Sequence, residues 1–367
     1  MIAFRPALFL VLMLLGLVGC DQRPAAAPAP ARSEVIIYCS ADAPVAQPIL
    51  DAFQKKTGIT VRAVFDTEAT KTTGLVNRLL SEHESRKPQC DVWWSSEPFG
   101  TIRLTRAGVL APYTSPIEAT EFNDVGGWPA PWRGQTTSTG DAKPEGVWYA
   151  FAFRTREIVY NTKYVTHADA PRTLGDLTNP KFKGRIAMAR PQFGTTRGHM
   201  AAVSASPEFR PWLAAIAASD LRIYDGNATV VRAVGNGEVW IGLTDNDDVE
   251  AGKANGWPVS SHLCIDLLAS SEGASATGPT CTMPNTVALV RGGPNAAAGG
   301  KLIDFLLSAE GQRLLADSEA HATPLHPALA PELWKAATPV WAGPTLESIA
   351  DNVEPAMRVC DEVLKGR

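Results

Sequence analysis

The chain has 367 residues, a net charge of −4 and 45% hydrophobic residues. This length is enough for two lobes with sizeable cores, and the mildly acidic balance provides no basic surface for nucleic acid. The sequence also has no GxSxG, HExxH, P-loop or GxGxxG motif, so no known catalytic pattern points to an enzyme.

The N-terminal segment predicts export. Residues 7–18 form an apolar run that is too short for a lasting membrane span, and the run ends in Leu17-Val18-Gly19-Cys20. This ending resembles a bacterial lipobox, which implies a signal peptide over residues 1–19 and a diacylated Cys20. Asp21 resembles an inner-membrane retention signal, and residues 20–32 continue as an Ala/Pro-rich tether. We therefore expect a periplasmic lipoprotein that is anchored to the inner membrane.

Five further cysteines follow Cys20: Cys39, Cys90, Cys264, Cys281 and Cys360. An exported protein meets an oxidising compartment, in which disulfides persist. Cys264 and Cys281 are the disulfide candidates because they flank a Gly/Ser-rich stretch that lets the two ends meet. The odd number leaves at least one free thiol, and the cysteine spacing matches no metal-binding pattern.

The first part of the chain alternates strands and helices. We predict strands at 35–38, 59–65 and 91–94, a helix at 44–56, and two more helices, one after residue 73 and one ending at Gly108. This order predicts a mainly parallel sheet with helices on both faces. A polar stretch opens the second helix, where free N–H groups favour anions. The candidate anion contacts there are Thr70, Lys71, Thr72 and Thr73, with simple helix capping as the alternative.

Two long β-rich runs, 148–160 and 282–290, suit segments that cross between lobes. Between them, Gly194, Thr195 and Thr196 open a helix and form a second candidate anion cradle. His199 in the same helix is more typical of a packing or capping residue than of a ligand. We predict further helices at 207–218, 296–315 and 345–364.

The stretch from Gly226 to Gly252 organises the rest of the chain. Asn227 is predicted to cap a helix, and a short apolar strand at 239–243 follows it. Asp245, Asp247 and Asp248 then lie at the carboxyl end of that strand, where ligands bind in open α/β sheets. Three carboxylates so close together repel each other and need solvent or a cation. The alternative is an acidic loop that caps the next helix.

The order of these motifs resembles the type II periplasmic substrate-binding proteins of ABC importers, and most of all the ferric-ion-binding branch. The motifs that carry the resemblance are YCSAD (38–42), ILDAFQKKTGITV (49–61), CDVWWSSEPF (90–99), LGDLTNPKFKGRIAMA (174–189), NGEVWIGLTDND (236–247) and NTVALVRGGPN with LIDFLLSAEGQRLL (285–315). The resemblance implies an α/β protein of two lobes, each a mainly parallel sheet flanked by helices, with crossover strands as a hinge. It implies a monomer that serves an ABC permease and ATPase.

The implied domain boundaries follow the two crossing runs. Residues 33–150 and 284–330 would form the first lobe, and residues 151–283 the second. Residues 331–367 would form a C-terminal helical segment.

The resemblance also implies a set of cargo ligands. The ferric branch holds iron with an early His or acid, a Glu after the third strand and two adjacent tyrosines, which fall here on Asp42, on Glu97 or its neighbour Ser96, and on Asp247-Asp248. No Tyr-Tyr pair occurs in this sequence. The carboxylates, with Asp245, still suit a hard cation. The branch's bound anion maps to the two cradles and to Asn227, so ferric iron with a synergistic anion is the leading cargo.

Three alternatives remain open at this point. Trp93 or Trp94 beside the carboxylates would suit a polyamine-like organic cation, unless both are core residues. Lys71 and Arg197 near the Thr-rich helix starts would instead suit a phosphonate-like anion. The third alternative is a tethered sensor that passes its ligand signal to a signalling partner.

Overall fold

The structure is a computed structural model. It describes Met1 and residues 34–66, 73–135, 146–266, 268, 280–336 and 344–366. The chain divides into Met1–Arg32 and Ser33–Arg367, and the description below concerns the second unit. The predicted signal peptide, Cys20, the tether and Thr70, Lys71 and Thr72 lie outside the described residues. Within the described ranges, every helix is too short or too polar to span a bilayer.

Twelve strands and twelve α-helices are assigned within the described residues. The strands are β1 Glu34–Cys39, β2 Thr60–Phe65, β3 Val92–Ser95, β4 Leu110–Ala111, β5 Arg133–Gln135, β6 Gly146–Asn161, β7 Ile186–Ala189, β8 Arg222–Tyr224, β9 Ile241–Asp245, β10 Val259–Leu263, β11 Thr282–Val290 and β12 Thr323–Pro324. The helices are α1 Ala43–Thr57, α2 Thr73–Glu84, α3 Pro98–Arg106, α4 Pro116–Glu121, α5 Gly194–Val203, α6 Phe209–Ala218, α7 Asn227–Gly235, α8 Asn246–Ala254, α9 Ala296–Leu307, α10 Ala309–Ala316, α11 Pro331–Lys335 and α12 Leu346–Val363.

The main strands follow the order β2-β1-β3-β11-β6-β9-β7-β8. β1 runs parallel to β2 and β3, and β7 runs parallel to β8 and β9, so each half is mainly parallel. β11 is antiparallel to β3 and β6, and β9 is antiparallel to β6. Each half is therefore a mainly parallel sheet flanked by helices. The predicted two-lobed α/β fold is confirmed, whereas the exact lobe boundaries stay a prediction.

β6 takes part in both halves of the sheet. Its first half pairs with β5 and β11, and its second half pairs with β9 and β10. Most of its residues are buried, as expected for a strand that is covered on both faces. The side chains of Arg154 and Arg156 lie on one face of this strand because strand side chains alternate. The strand thus places two cations at the point where its pairing changes from one half to the other.

Helix α7 packs closely against strand β9. Val230, Val231 and Val234 of α7 are buried, as predicted, and Val230 and Val234 lie against Gly242 of β9. A Cβ atom at Gly242 would lie only 2.4 Å from Val230 Cγ1, so glycine is required for α7 to approach β9 this closely. The N-terminus of α7 is thereby brought beside the carboxyl end of β9.

Four local predictions need correction. β9 begins and ends two residues later than predicted, so the expected acidic loop is the end of this strand followed by the first turn of α8. Gly226, not Asn227, occupies the N-cap of α7. The single helix predicted at 296–315 is broken at Ser308, whose hydroxyl caps α10 by accepting from the Gly311 N–H. The predicted loop over residues 112–146 contains α4, which Ser115 caps.

The C-terminal helix α12 packs against α3, α5 and α6. Its buried face includes Leu346, Ile349 and Val353. On the polar side, Glu354 pairs with Arg197 of α5 at 2.8 Å. Since α5 supplies residues to the candidate site, α12 supports that site from behind.

Candidate cargo-binding site

The candidate site lies where the carboxyl ends of β1, β3 and β9 meet the N-termini of α3, α5, α7 and α8. This is the edge at which open α/β sheets bind ligands. Asp245 ends β9, and Asp247 and Asp248 lie in the first turn of α8. Oxygen atoms of these three carboxylates all lie within 4.8 Å of one another, so the structure brings the predicted acidic cluster together.

Asp245 is committed to a buried ion pair. Arg156 Nη1 lies 2.5 Å from Asp245 Oδ1, and both side chains are almost fully buried. The other carboxylate oxygen accepts from the Thr195 hydroxyl and from Asn227 Nδ2, at 2.8 Å for the latter. Burial favours the neutral acid, but the guanidinium groups of Arg156 and Arg154 hold the Asp245 pKa below its ordinary value. This carboxylate therefore stays ionised and partnered by the protein.

The predicted anion cradle is part of the same network. Arg156 donates to the Thr195 and Thr196 hydroxyls at 3.2 and 3.4 Å, and Thr196 donates to Asn227 Oδ1 at 3.2 Å. These side chains join α5 and α7 to β9. Gly194 begins α5 with φ of 56°, a left-handed conformation that favours glycine. The hydroxyl groups thus bind protein partners, which leaves the backbone of the helix start for an anion.

His199 holds Arg156 from the opposite side. Its Nδ1 accepts from Arg156 Nε at 3.3 Å, which requires the proton on Nε2, and Nε2 lies 2.8 Å from Asp266 Oδ1. Asp266, His199, Arg156 and Asp245 therefore form a chain of polar contacts beneath the acidic cluster. The expectation that His199 is a packing residue rather than a ligand fits this position.

Arg154 links the two halves of the sheet. One of its terminal nitrogens donates to the Ser96 carbonyl at 2.9 Å, and the other lies 3.6 Å from Asp247 Oδ2. Two polar atoms nearby, Arg154 Nε and Asp247 Oδ1, are buried and have no hydrogen-bond partner among the described residues. A buried donor and a buried acceptor left open in the same site are what a polar ligand would satisfy.

The other two carboxyl groups, of Asp247 and Asp248, lie in surroundings that disfavour their ionised forms. Burial raises the pKa of Asp247 to about 6; the charge of Arg154 opposes this rise and that of Asp245 adds to it. The pKa of Asp248 lies well above its ordinary value because of burial and repulsion by Asp247 and Asp245. Two arginines thus face three carboxylates, and the surplus negative charge favours a cationic group.

The two other predicted metal ligands lie at the opposite wall. Glu97 caps α3 by accepting from the Phe99 and Gly100 N–H groups at 2.7 and 3.1 Å, and burial raises its pKa. Asp42 is exposed at the N-cap of α1, and its negative charge helps to raise the pKa of Arg154. Thr73 begins α2, as expected.

The aromatic and cysteine predictions have different outcomes. Both Trp93 and Trp94 are fully buried, with their indole N–H groups directed to Thr101 and Asn285, so they form core and not an aromatic wall. Cys264 and Cys281 are buried and carry free thiols in the structure, and their pairing stays a prediction.

The sequence reasoning missed Arg154 and Arg156. Both lie in a run whose pattern predicts only a crossover strand. The available signal was two positive charges, two residues apart, in the middle of a strand that otherwise reads as buried. Charges at such positions are rarely buried without partners, so they should have been matched to the acidic cluster.

Comparison with known proteins identifies the family of this chain. Residues 49–340 match the family model for bacterial extracellular solute-binding proteins. The chain belongs to this family. A solute-binding protein of this family works outside the cytoplasm, in keeping with the predicted periplasmic location.

Three proteins show what this solute-binding protein is similar to. It is 26% identical over 301 residues to the major ferric iron-binding protein of Neisseria meningitidis serogroup B, covering 81% of this chain and 82% of the relative. The crystal structure of iron-bound HitA from Pseudomonas aeruginosa superposes with a TM-score of 0.68 at 25% identity, covering 90% of this chain and 99% of HitA. A Salmonella typhimurium periplasmic protein named for 2-aminoethylphosphonate binding is 26% identical over 301 residues, 78% of each chain. The resemblance to the ferric-ion-binding branch of type II binding proteins is confirmed, and the relatives are named as binding proteins rather than enzymes.

Proposed function

We propose that this protein is the substrate-binding component of an ABC importer and that its cargo is ferric iron bound together with an anion. It would deliver the cargo to a permease and ATPase in the inner membrane. The lipidated Cys20 would keep it at that membrane as a monomer on a short tether.

The surplus of carboxylate charge carries the proposal. Asp245 is neutralised by Arg156, but Asp247 lies farther from its partner Arg154, and Asp248 forms an ion pair with neither arginine. Their raised pKa values mean that their ionised forms are disfavoured without a cation. A hard trivalent cation with oxygen ligands would relieve this repulsion. The ferric iron-binding relatives support the same cargo.

The missing tyrosine pair shifts the ligand set to carboxylates. Asp247 and Asp248 would supply iron ligands from α8, and Asp42 and Glu97 would do so from the facing wall. The synergistic anion would bind the backbone at the start of α5, with Arg154 as its counter-charge. Asp245 would hold Arg156 rather than bind iron, because its oxygens already accept from Arg156, Thr195 and Asn227.

A small zwitterion is the second candidate cargo. Arg154 Nε is an open buried donor and Asp247 Oδ1 an open buried acceptor. A molecule with an anionic group and an amino group would satisfy both, and the relative named for 2-aminoethylphosphonate binding supports this class. A polyamine is less favoured, because Trp93 and Trp94 offer it no aromatic wall.

A double variant tests the proposal. Asp247→Asn with Asp248→Asn removes the two carboxylate charges that would attract a cation and keeps the shape of both side chains. Apo-protein titrated with ferric nitrilotriacetate in phosphate buffer should bind about one iron, and the double variant should lose at least about 100-fold in affinity. Asp124→Asn, on an exposed residue elsewhere, serves as the control. Unchanged iron affinity in the folded double variant would refute the assigned site.

A transport role and a sensing role differ in the partner. An importer component should stimulate ATP hydrolysis by its own permease and ATPase reconstituted in vesicles when cargo is present. No stimulation, together with cargo-dependent binding to a membrane kinase, would identify the sensor instead.

A further inference from the structure

Cys264 and Cys281 meet at one position of the sheet. The Cys264 N–H donates to the Arg156 carbonyl at 2.9 Å, and the Arg156 N–H donates to the Cys281 carbonyl at 3.1 Å. The N–H and C=O of one strand residue point to the same side, so both cysteines lie along the same edge of β6. The Thr280 hydroxyl also donates to the Cys264 carbonyl, which brings the two chain segments into direct contact.

This adjacency is of the kind that a disulfide requires. Disulfide-linked residues have Cα atoms about 4.4–6.8 Å apart, a short separation that requires the two backbones to be neighbours. Cys264 and Cys281 meet this requirement because both hydrogen-bond to the main chain of Arg156. Both thiols are buried in the structure. Chain segments that converge on a single ladder position can be bridged without moving the strand they share.

The same two residues border the polar chain beneath the cargo site. Sγ of Cys264 lies within 4.8 Å of ligand atoms of His199 and Asp266. Asp266 accepts from His199, His199 accepts from Arg156, and Arg156 holds Asp245. Asp266 is only two residues beyond Cys264, so the position of Cys264 determines where this chain of contacts begins.

We propose that Cys264 and Cys281 form a disulfide that fixes Asp266 and thereby positions Arg156 and Asp245 beneath the cargo. The positioning part rests on the proposed cargo site, whereas the disulfide itself does not. The oxidant is the disulfide of an oxidised thiol–disulfide oxidoreductase of the extracytoplasmic compartment. One cysteine thiolate attacks that disulfide and releases one of its sulfurs as a thiolate. The second cysteine thiolate then attacks the mixed disulfide and releases the other sulfur, so the pair loses two electrons and two protons and the oxidant becomes a dithiol.

Burial determines when this bond forms. It raises the pKa of both thiols well above the ordinary value, and Asp266 adds to the effect at each. A buried protonated thiol is a poor nucleophile, so the pair reacts while the chain folds and not afterwards. The folded protein then protects the bond from reductants.

A soft metal ion at His199, Cys264 and Asp266 is the competing use of the same atoms. The hydrogen bonds disfavour it, because His199 Nδ1 accepts from Arg156 Nε and a metal on Nε2 would place a proton on Nδ1. Two donors would then face each other at 3.3 Å.

Thiol mapping tests the bond without any cargo. Full-length protein from the periplasm is denatured without reductant, alkylated and digested. We expect a cross-linked peptide pair containing Cys264 and Cys281, a mass 2 Da below the fully reduced chain, and alkylation of both residues only after reduction. Alkylation of both thiols without reduction would overturn the proposal, and so would stoichiometric zinc bound to the native protein before denaturation.

A cargo titration then tests the positioning role. Cys264→Ser with Cys281→Ser removes the bond and keeps small side chains, and Cys360→Ser in α12 is the matched control. Ferric nitrilotriacetate should bind roughly five-fold or more weakly to the double variant than to the control. Equal affinity in the two proteins would overturn the positioning role. If neither binds iron while the cross-link is present, the iron cargo fails and the disulfide stands.

Discussion

Removing one partner of the buried pair of Arg156 and Asp245 is expected to destabilise the protein strongly. Arg156→Met keeps much of the side-chain volume but leaves Asp245 buried at 2% side-chain exposure without its cation. Removing one partner of a buried pair costs about 3–5 kcal/mol, and no solvent screening reduces this value here. A chain of this size loses roughly 2 °C per kcal/mol, so we expect Tm to fall by about 6–10 °C.

A double-mutant cycle separates the pair from general damage. Asp245→Asn alone leaves Arg156 buried without a counter-charge, whereas the Arg156→Met/Asp245→Asn protein has neither charge. Urea unfolding of all four proteins should show the double variant less destabilised than the sum by more than about 1 kcal/mol. Arg210→Met, which breaks the exposed pair with Glu362, should cost at most about 1 kcal/mol. Additive losses at Arg156 and Asp245 would refute the coupling.

Three further predictions concern separate parts of the molecule. Folding raises the pKa of Asp247 from 3.8 to about 6, so the folded state binds more protons than the unfolded state between these pH values. The cargo-free protein should therefore lose stability as the pH rises through this window. Tm measured from pH 4 to 7 should decline less in Asp247→Asn than in the wild type, and parallel curves would contradict the assignment. His199→Phe keeps the ring but removes the acceptor for Arg156 and the donor to Asp266, which should lower the free energy of unfolding by about 1–3 kcal/mol in urea; no loss would argue against the polar chain. Cys20→Ser should move the protein from the membrane to the soluble fraction of fractionated cells, and retention on membranes would contradict the lipoprotein prediction.

The fold was largely predictable because its periodic signals are strong. The alternation of strands and helices predicted a mainly parallel sheet, the resemblance implied two such lobes, and the long β-rich run at 148–160 lies within β6. The break between α9 and α10 was not predictable from periodicity, since the apolar face continues past Ser308. Only the capping hydrogen bond of Ser308 distinguishes two helices from one.

The sequence predicts the position of the candidate site but not the arginines that partner its carboxylates. Strand order brought Asp245, Asp247 and Asp248 to the correct edge of the sheet. Their partners Arg154 and Arg156 lie about 90 residues earlier in the chain, and pairing across such a distance depends on strand register, which the sequence does not encode locally. Asp245, which the sequence predicts as a ligand, therefore forms an ion pair with Arg156 in the structure.

Native mass spectrometry with elemental analysis, on protein purified from the periplasm, tests the cargo most directly. The account predicts about one iron per chain, together with a small anion that leaves on denaturation. A chain without metal that carries a small organic molecule would contradict the ferric cargo, and the mass of that molecule would distinguish a zwitterion from other ligands.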